Sequence, residues 1–142
     1  MSRVMAIDFG TRRIGVALSD PMGIMAQGLE TINWNGQDSA YAIDRIAEIV
    51  SEKEVTVIVL GKPSRTDGTV SESEEKAYAF GAELESKVGI KPVFRDERFT
   101  TVIASQYLRQ TGVNGKNYKK VVDQVAAEII LQEYLDMHRS NS

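Results

Sequence analysis

The first third of the chain alternates short apolar runs with turn residues. The runs Arg3–Asp8 and Arg13–Leu18 are followed by the turn signals Asp8-Phe-Gly10 and Asp20-Pro21, and a third run covers Ile24–Ile32. Short apolar runs bounded by turn residues are typical of strands. Their close spacing along the chain predicts an antiparallel meander of three strands.

From residue 38 onwards the apolar positions change to helical spacing. They recur every three or four positions between Ala40 and Val50, behind Asp38 or Ser39 as the N-cap. The pattern then predicts a strand at 55–60, a helix at 71–88 that Gly89 ends, a strand at 91–95, a helix at 100–110 and a last helix from Lys120 to Met137. The order βββαβαβαα implies an α/β fold, with a mixed five-stranded sheet and helices on both of its faces.

The composition is that of one globular domain covering residues 1–142. Hydrophobic residues make up 42% and charged residues 26% of the chain, which excludes a disordered tail. There is no cysteine and His138 is the one histidine, so a Cys-based zinc site is excluded and a Ser-His-Asp triad is disfavoured. No apolar run reaches the roughly 18 residues of a membrane span, and no signal peptide is visible. We therefore expect a cytoplasmic protein, in which any metal is held by oxygen ligands.

Two aspartates occupy positions that call for an explanation. Asp8 ends the first strand, and ligands bind at the carboxyl ends of strands in open α/β sheets, although an Asx turn would also explain it. Asp123 is followed at i+3, i+4 and i+7 by apolar residues, Ala126, Ala127 and Ile130, and so heads the helix face that packs on the sheet. A buried carboxylate needs compensation. This favours a functional role for Asp123 over a simple preference for the helix N-terminus.

Glu97 is the third candidate carboxylate. It follows the 91–95 strand and emerges at the same edge as Asp8 if both strands are parallel; taken alone, a salt-bridged loop explains it better. Asp67 and Asp96 are weaker candidates. Three carboxylates at one edge would repel each other, and a divalent cation would relieve the repulsion. Mg²⁺ and Mn²⁺ prefer oxygen ligands and can activate water for phosphodiester cleavage, which is the physical case for a nuclease.

The basic residues are unevenly distributed. A net charge of −3 argues against unspecific coating of nucleic acid, but there is no acidic residue between Thr111 and Val122, where Gly112 and Gly115 predict a flexible basic loop. The candidate nucleic-acid contacts are Arg12, Arg13, Lys62, Arg65, Arg98, Lys116, Tyr118, Lys119 and Lys120. For any one of the lysines, a solvated surface position is the simpler explanation.

Other side chains favour packing or solvent exposure. Trp34 is interpreted as packing within the meander. Five glutamates predict that the 71–88 helix faces away from any nucleic acid; they are Glu72, Glu74, Glu75, Glu83 and Glu85.

Four segments, taken in order, resemble the YqgF/RuvX family. They are Asp8-Phe-Gly-Thr-Arg-Arg-Ile-Gly-Val-Ala17, Asp67-Gly68, Asp96-Glu-Arg-Phe-Thr-Thr101, and Lys120-Val-Val-Asp-Gln-Val-Ala-Ala127 with the following Ile130–Asp136. That family is similar to Holliday junction resolvases, so the resemblance implies a ribonuclease H-like fold. It also implies a nuclease for the 5′ end of bacterial precursor 16S ribosomal RNA. The acidic site residues would then be Asp8, Glu97 and Asp123.

The chain departs from the resolvase pattern at one strand end. Resolvase relatives place a glutamate at the end of the strand next to the first, whereas this chain has Leu60-Gly-Lys-Pro63 there. Glu97 would have to substitute for it. Within the family a bulky apolar residue is common at the position of Lys62, where a lysine could contact phosphate.

Three functions remain open at this point. The first is a metal-dependent nuclease acting on structured RNA, with Mg²⁺ or Mn²⁺ as the expected cofactor. The second is a junction-resolving DNase, which needs two active sites and hence a dimer; we expect a monomer or a weak homodimer. The third is a non-catalytic nucleic-acid-binding factor in ribosome assembly or transcription. An actin-like ATPase is disfavoured, because 142 residues are too few for its two domains.

Overall fold

The computed structural model describes residues 3–10, 12–62, 71–96 and 116–140, and in the last range it describes the side chains of 123–138. The five strands are β1 (Arg3–Phe9), β2 (Arg13–Ser19), β3 (Ala26–Asn33), β4 (Val55–Lys62) and β5 (Val93–Asp96). The three helices within these ranges are α1 (Ala40–Glu52), α2 (Glu72–Val88) and α3 (Lys116–Ser140). The helix predicted at 100–110 lies outside the described residues.

The strands form one mixed sheet in the order β3-β2-β1-β4-β5. β2 pairs antiparallel with both β1 and β3, which confirms the predicted meander. β4 runs parallel to β1 and to β5. The carboxyl ends of β1, β4 and β5 therefore meet at one edge of the sheet, and we call this the carboxyl edge.

Three elements begin two or more residues away from their predicted starts. β3 begins at Ala26 instead of Ile24, because the Asp20 carboxylate accepts the backbone N–H groups of Met25 and Ile24 at 3.0 and 2.7 Å and closes a turn there. Those two bonds also hold the pKa of Asp20 below its usual range. β5 begins at Val93, since Pro92 has no N–H to donate to a strand ladder.

The third difference concerns the predicted basic loop at 112–120. The backbone of residues 116–120 is helical and forms the first turns of α3. The prediction of a loop was therefore wrong for these residues. The segment Lys116-Asn-Tyr-Lys-Lys120 has no apolar periodicity, and apolar periodicity was the sign used to place the helix start.

Alternation along the strands divides the core into two layers. On one face, large side chains such as Met5 and Ile7 pack against α1 and α2. On the other face, small side chains such as Ala6 and Ala17 pack against Ala127, Ile130 and Leu131 of α3. Helices thus cover both faces, as predicted, and the small residues let α3 lie close to the sheet.

Local capping explains where α1 and α2 begin and end. Ser71 Oγ accepts the Glu74 N–H at 3.1 Å, and Gly89 closes α2 in the left-handed conformation at φ +76°. At the start of α1, the side-chain bond comes from Asp38, whose Oδ1 accepts the Ala40 N–H at 3.1 Å, while Ser39 makes no such cap. In the described part of the chain, no helix has both the length and the apolarity needed to cross a membrane.

α3 packs against two glycines of the sheet, Gly15 in β2 and Gly28 in β3. A β-carbon on Gly15 would overlap the carbonyl oxygen of Asp123, and one on Gly28 would lie 3.2 Å from Gln124 Cβ. Polar bonds from α3 to β3 hold this position: Gln124 Nε2 donates to Thr31 Oγ1 at 3.2 Å, and Gln132 Oε1 accepts the Ala26 N–H at 2.9 Å. The helix therefore contacts the sheet through backbone at Gly15 and through side chain at Gly28.

We expect Gly15→Ala to lower the free energy of unfolding by about 3 kcal/mol, because the added methyl meets helix backbone that cannot rotate away. Gly28→Ala is the matched control. Its methyl meets the β-carbon of a side chain that needs to move by only a few tenths of an ångström, so its loss should stay below about 1 kcal/mol. Urea unfolding measures both. Equal losses for the two variants would contradict the close approach of α3 to β2.

A second prediction concerns Glu128, which lines an open cavity of about 680 Å³ beside Arg3 and Lys53. Burial raises the pKa of Glu128, and a hydrogen bond from the Gly28 N–H offsets part of the rise. A carboxyl whose pKa is higher in the folded than in the unfolded state loses stabilising free energy as the pH rises through that pKa. We expect Glu128→Gln to raise Tm at pH 7 and to have little effect below about pH 4, where both states carry the proton.

The control for that measurement is Glu85→Gln, on the solvent-exposed side of α2. Its effect on Tm should be small and similar at both pH values. A gain from Glu128→Gln that is the same at pH 4 and pH 7 would show that burial does not disfavour the ionised carboxylate.

Candidate active site

Asp8 lies at the end of β1, between two glycines of the neighbouring strands. In register it is opposite Gly15 of β2 and beside Gly61 of β4. Paired residues project to the same face of a sheet, and Asp8 shares its face with Ala6, which packs on α3. The Asp8 side chain is 7% exposed. It is therefore a buried carboxylate on the α3 face of the carboxyl edge.

Asp123 lies directly above Gly15, the residue that pairs with Asp8 in the β1–β2 ladder. Its backbone approaches Gly15 so closely that no β-carbon would fit between them. Because Gly15 and Asp8 are neighbours across the β1–β2 ladder and share a face, Asp123 and Asp8 lie next to each other. The structure thus places two of the three predicted acidic residues, which are far apart in the sequence, on either side of Gly15.

Arg13 balances the charge of Asp123. It lies two residues before Gly15 on β2 and so projects to the same face. Its Nε donates to Asp123 Oδ2 at 2.8 Å. This charge-assisted bond is the compensation that a carboxylate on an apolar helix face requires.

The third predicted carboxylate, Glu97, lies outside the described residues, as does Asp67. The strand just before Glu97, β5, is described, and its register with β4 shows to which face of the sheet each of its side chains projects. Arg95 pairs in register with Gly61, and its guanidinium reaches Glu133 and Met137 of α3 at 3.6 and 3.1 Å. Asp96 projects to the opposite face by alternation and does not share a face with Asp8. Among the side chains that are described, no group of three metal-ligating residue types forms a cluster.

Lys62, a predicted phosphate contact, lies on the α2 face of the carboxyl edge. Its Nζ is 2.9 Å from Glu74 Oε2 and 5.5 Å from the centre of the Tyr78 ring. The hydrogen bond to Glu74 raises the pKa of Lys62. The two side chains are only 17% and 8% exposed, so this is a mostly buried ion pair.

That ion pair corrects one expectation about the acidic helix. Glu72, Glu75, Glu83 and Glu85 are exposed on α2, but Glu74 is buried and turned toward the sheet. Burial of Glu74 follows from its partner, since a buried carboxylate is tolerated when a cation is bound to it.

The remaining basic candidates have different surroundings. Arg12 is exposed in the β1–β2 connection. Arg65 and Arg98 lie outside the described residues. Four candidates belong to the first turns of α3, where the backbone but not the side chains is described; they are Lys116, Tyr118, Lys119 and Lys120.

Sequence reasoning missed Gly15 and the ion partner of Asp123. A glycine inside an otherwise apolar strand indicates a close approach of another backbone, and this was the available sign for Gly15. No comparable sign links Arg13 to a residue 110 positions further on.

Comparisons with known proteins point to one family. The model of the RuvX family, described as a Holliday junction resolvase, matches residues 2–137. A relative from Ligilactobacillus salivarius (strain UCC118) is 44% identical over 137 residues, which cover 96% of this chain and 93% of the relative. One from Streptococcus pneumoniae (strain Hungary19A-6) is 41% identical over 135 residues, covering 94% and 97%. Both relatives are named "Putative pre-16S rRNA nuclease".

Structures of more distant proteins show the same fold. RuvC from T. thermophilus in complex with a Holliday junction substrate aligns with a TM-score of 0.59 at 11% identity, covering 98% of this chain and 96% of RuvC. Fowlpox virus resolvase with Holliday junction DNA aligns with a TM-score of 0.57 at 12% identity, covering 95% and 97%. These alignments confirm the ribonuclease H-like fold. Since the family model and the relatives both extend over nearly the whole sequence, this chain belongs to the RuvX family.

Proposed function

We propose that the protein is a metal-dependent nuclease that hydrolyses phosphodiester bonds at the 5′ end of precursor 16S ribosomal RNA. The observation that carries the proposal is the placement of Asp8 and Asp123 side by side at the carboxyl edge, through the contact of α3 with Gly15. The names of the relatives support the substrate. RuvC and the poxvirus resolvase, which share the fold, have been solved in complex with Holliday junctions, and this supports nucleic acid as the class of substrate.

The residues present fit a divalent cation. Carboxylate oxygens are the ligands that Mg²⁺ and Mn²⁺ prefer, and the ion pair with Arg13 shows that the Asp123 carboxylate is oriented to bind a positive charge, for which a metal ion would compete. Glu97 is the proposed third ligand, because in the sequence it directly follows β5, which ends at the carboxyl edge. Bound there, the ion would activate water and neutralise charge on the phosphate.

The protein's own groups hold this arrangement in place. The β1 ladder fixes the backbone of Asp8 against β2 and β4, so its oxygens need little reorganisation on binding a cation. Arg12, on the β1–β2 connection, and Arg13, the first residue of β2, are our proposed contacts to the phosphate backbone, together with the basic residues of the first turns of α3.

A second candidate is a junction-resolving DNase, favoured by the description of the family model. It would need two copies of the site acting on a symmetric junction, hence a dimer. Comparing the two substrates in one assay separates the candidates, with light scattering on the same sample to give the oligomeric state.

The first prediction of the proposal concerns Asp8. Asp8→Asn removes one charge from the ligand pair without changing its shape, so we expect cleavage of 5′-extended 16S precursor to fall by about 100-fold or more while substrate binding persists. Asp44→Asn, on the exposed surface of α1, is the matched control and should cut like the parent. The assay runs in Mg²⁺, in Mn²⁺ and with chelator. An Asp8→Asn protein that cuts at the parental rate would show that the site is wrongly assigned.

The second prediction concerns the ion pair with Asp123. A metal ion bound to Asp123 competes with the Arg13 guanidinium, so Arg13→Gln should tighten Mn²⁺ binding by up to about tenfold, the equivalent of one charge-assisted hydrogen bond in a partly exposed site. Calorimetric titration of the purified chain with Mn²⁺ measures this without any substrate. Arg45→Gln, which removes an ion pair to Glu30 on the far side of the sheet, should leave the Mn²⁺ affinity unchanged. Unchanged or weaker Mn²⁺ affinity in Arg13→Gln would mean that the Arg13–Asp123 ion pair does not compete with the metal ion.

A further inference from the structure

A second concave site lies on the other face of the carboxyl edge. It is a cavity of about 350 Å³ between the end of β3, the segment before α1 and one side of α2. Trp34 and Phe80 form its aromatic wall, and Gln37, Ser39, Lys76 and Glu83 form its polar rim. Its volume is at the lower end of the roughly 300–1,000 Å³ typical of small-ligand pockets. It has room for one planar heterocycle and none for a base-paired duplex.

The aromatic wall is rigid and presents carbon surface to the cavity. The rings of Phe9, Trp34 and Phe80 form a cluster with centroid separations of 5.7, 5.0 and 6.3 Å. Phe9 and Phe80 are buried, whereas Trp34 is only partly buried. The indole N–H, the one polar group of the ring, donates inward to the Gly10 carbonyl at 2.8 Å. Trp34 therefore offers a stacking surface without an unsatisfied donor.

The polar rim favours a neutral heterocycle over a phosphate. Gln37 is exposed, and its amide can both donate to and accept from the edge of a base. Glu83 accepts the Ser39 hydroxyl at 2.6 Å and places a carboxylate at the rim, whereas the ammonium of Lys76 lies 3.7 Å from Glu72. A phosphate inside the cavity would be repelled by that carboxylate, whereas an uncharged base with donor and acceptor groups would not.

The cavity is joined to the candidate active site by the β1–β2 connection. The backbone N–H of Trp34 donates to the carbonyl of Arg12 at 3.0 Å, and its indole to Gly10. Arg12 is exposed, and together with Gly10 it belongs to the connection that follows Asp8 in the sequence and holds Trp34. A strand that crosses the carboxyl edge from Asp8 to the cavity would pass the β1–β2 connection, to which Arg12 belongs.

From this juxtaposition we infer that the cavity is a substrate subsite, which takes one unpaired nucleobase of the bound strand on Trp34 while Arg12 contacts the adjoining phosphate. The inference rests on the proposed function, since it assumes that the strand at Asp8 is nucleic acid. It goes beyond it by requiring a single-stranded nucleotide next to the cleavage point. Aromatic stacking suits this role because every base has a π face.

Trp34 is the chain's one tryptophan, so its fluorescence reports on the cavity directly. The full chain is titrated in chelator, where cleavage does not interfere, with a short single-stranded RNA, the matching blunt duplex and an abasic strand of equal length and charge. We expect the single strand to quench Trp34 and to bind about tenfold more tightly than the abasic strand. Equal quenching and affinity for all three would overturn the subsite.

A cavity-filling variant tests the same point without disturbing the aromatic cluster. Ala79 lines the cavity on the exposed side of α2, so Ala79→Leu should occupy it and reduce single-strand affinity to that of the abasic strand. Ala82→Leu makes the same change on an exposed position of α2 outside the cavity and should bind like the parent. An Ala79→Leu protein with parental affinity overturns the subsite even if cleavage depends on Asp8. Conversely, cleavage at the parental rate by Asp8→Asn overturns the proposed function, whereas the binding titration still decides whether the cavity binds a base.

Discussion

The contact between the backbone of α3 and Gly15 determines where the chemistry of this protein can be. Helices usually rest on a sheet through side chains, which keeps the two backbones well apart. Here Ala6 and Ala17 line the helix-facing side of the central strands, and at Gly15 there is no side chain at all. α3 consequently lies close enough to the sheet for Asp123 to contact Gly15, the residue that pairs with Asp8. A larger residue at position 15 would lift or shift α3, and the two carboxylates would separate.

Bringing carboxylates together raises their electrostatic free energy, and the carboxyl edge offsets this with cations on both faces. Arg13 pairs with Asp123 on the α3 face, and Lys62 pairs with Glu74 on the α2 face. Because each pair is partly or mostly buried, losing one partner would leave an uncompensated charge, which costs more than the pair contributes. The local charge pattern therefore matters more for recognition of a polyanion than the net charge of −3.

Much of the fold could be predicted because its elements are periodic. The meander, the parallel strands and the stop of α2 at Gly89 each have a local cause in the sequence, and the structure confirms them. Two larger errors occurred where the neighbouring sequence gives no sign of the outcome. The first turns of α3 contain no apolar stripe, although the rest of the helix packs on the sheet. Glu74 is buried because it pairs with Lys62, twelve residues away. For the site, Asp8 and Asp123 could each be singled out from their own neighbours, but their proximity depends on strand register and on Gly15. Glu97 stays a prediction.

Trp34 shows the same limit of sequence reasoning on a smaller scale. A lone tryptophan after a strand is interpreted as packing, and one part of its ring does pack, on Phe9 and Phe80. Sequence cannot tell which part of an aromatic ring is left uncovered. The β1–β2 connection that holds the indole also leads from Asp8 to Arg13, and a β-carbon on Gly10 would overlap the Arg13 carbonyl oxygen. The position of Arg13 on one face of the sheet and that of Trp34 on the other are thus fixed by the same few residues. Distortion of the backbone at Gly10 should therefore disturb both faces of the carboxyl edge together.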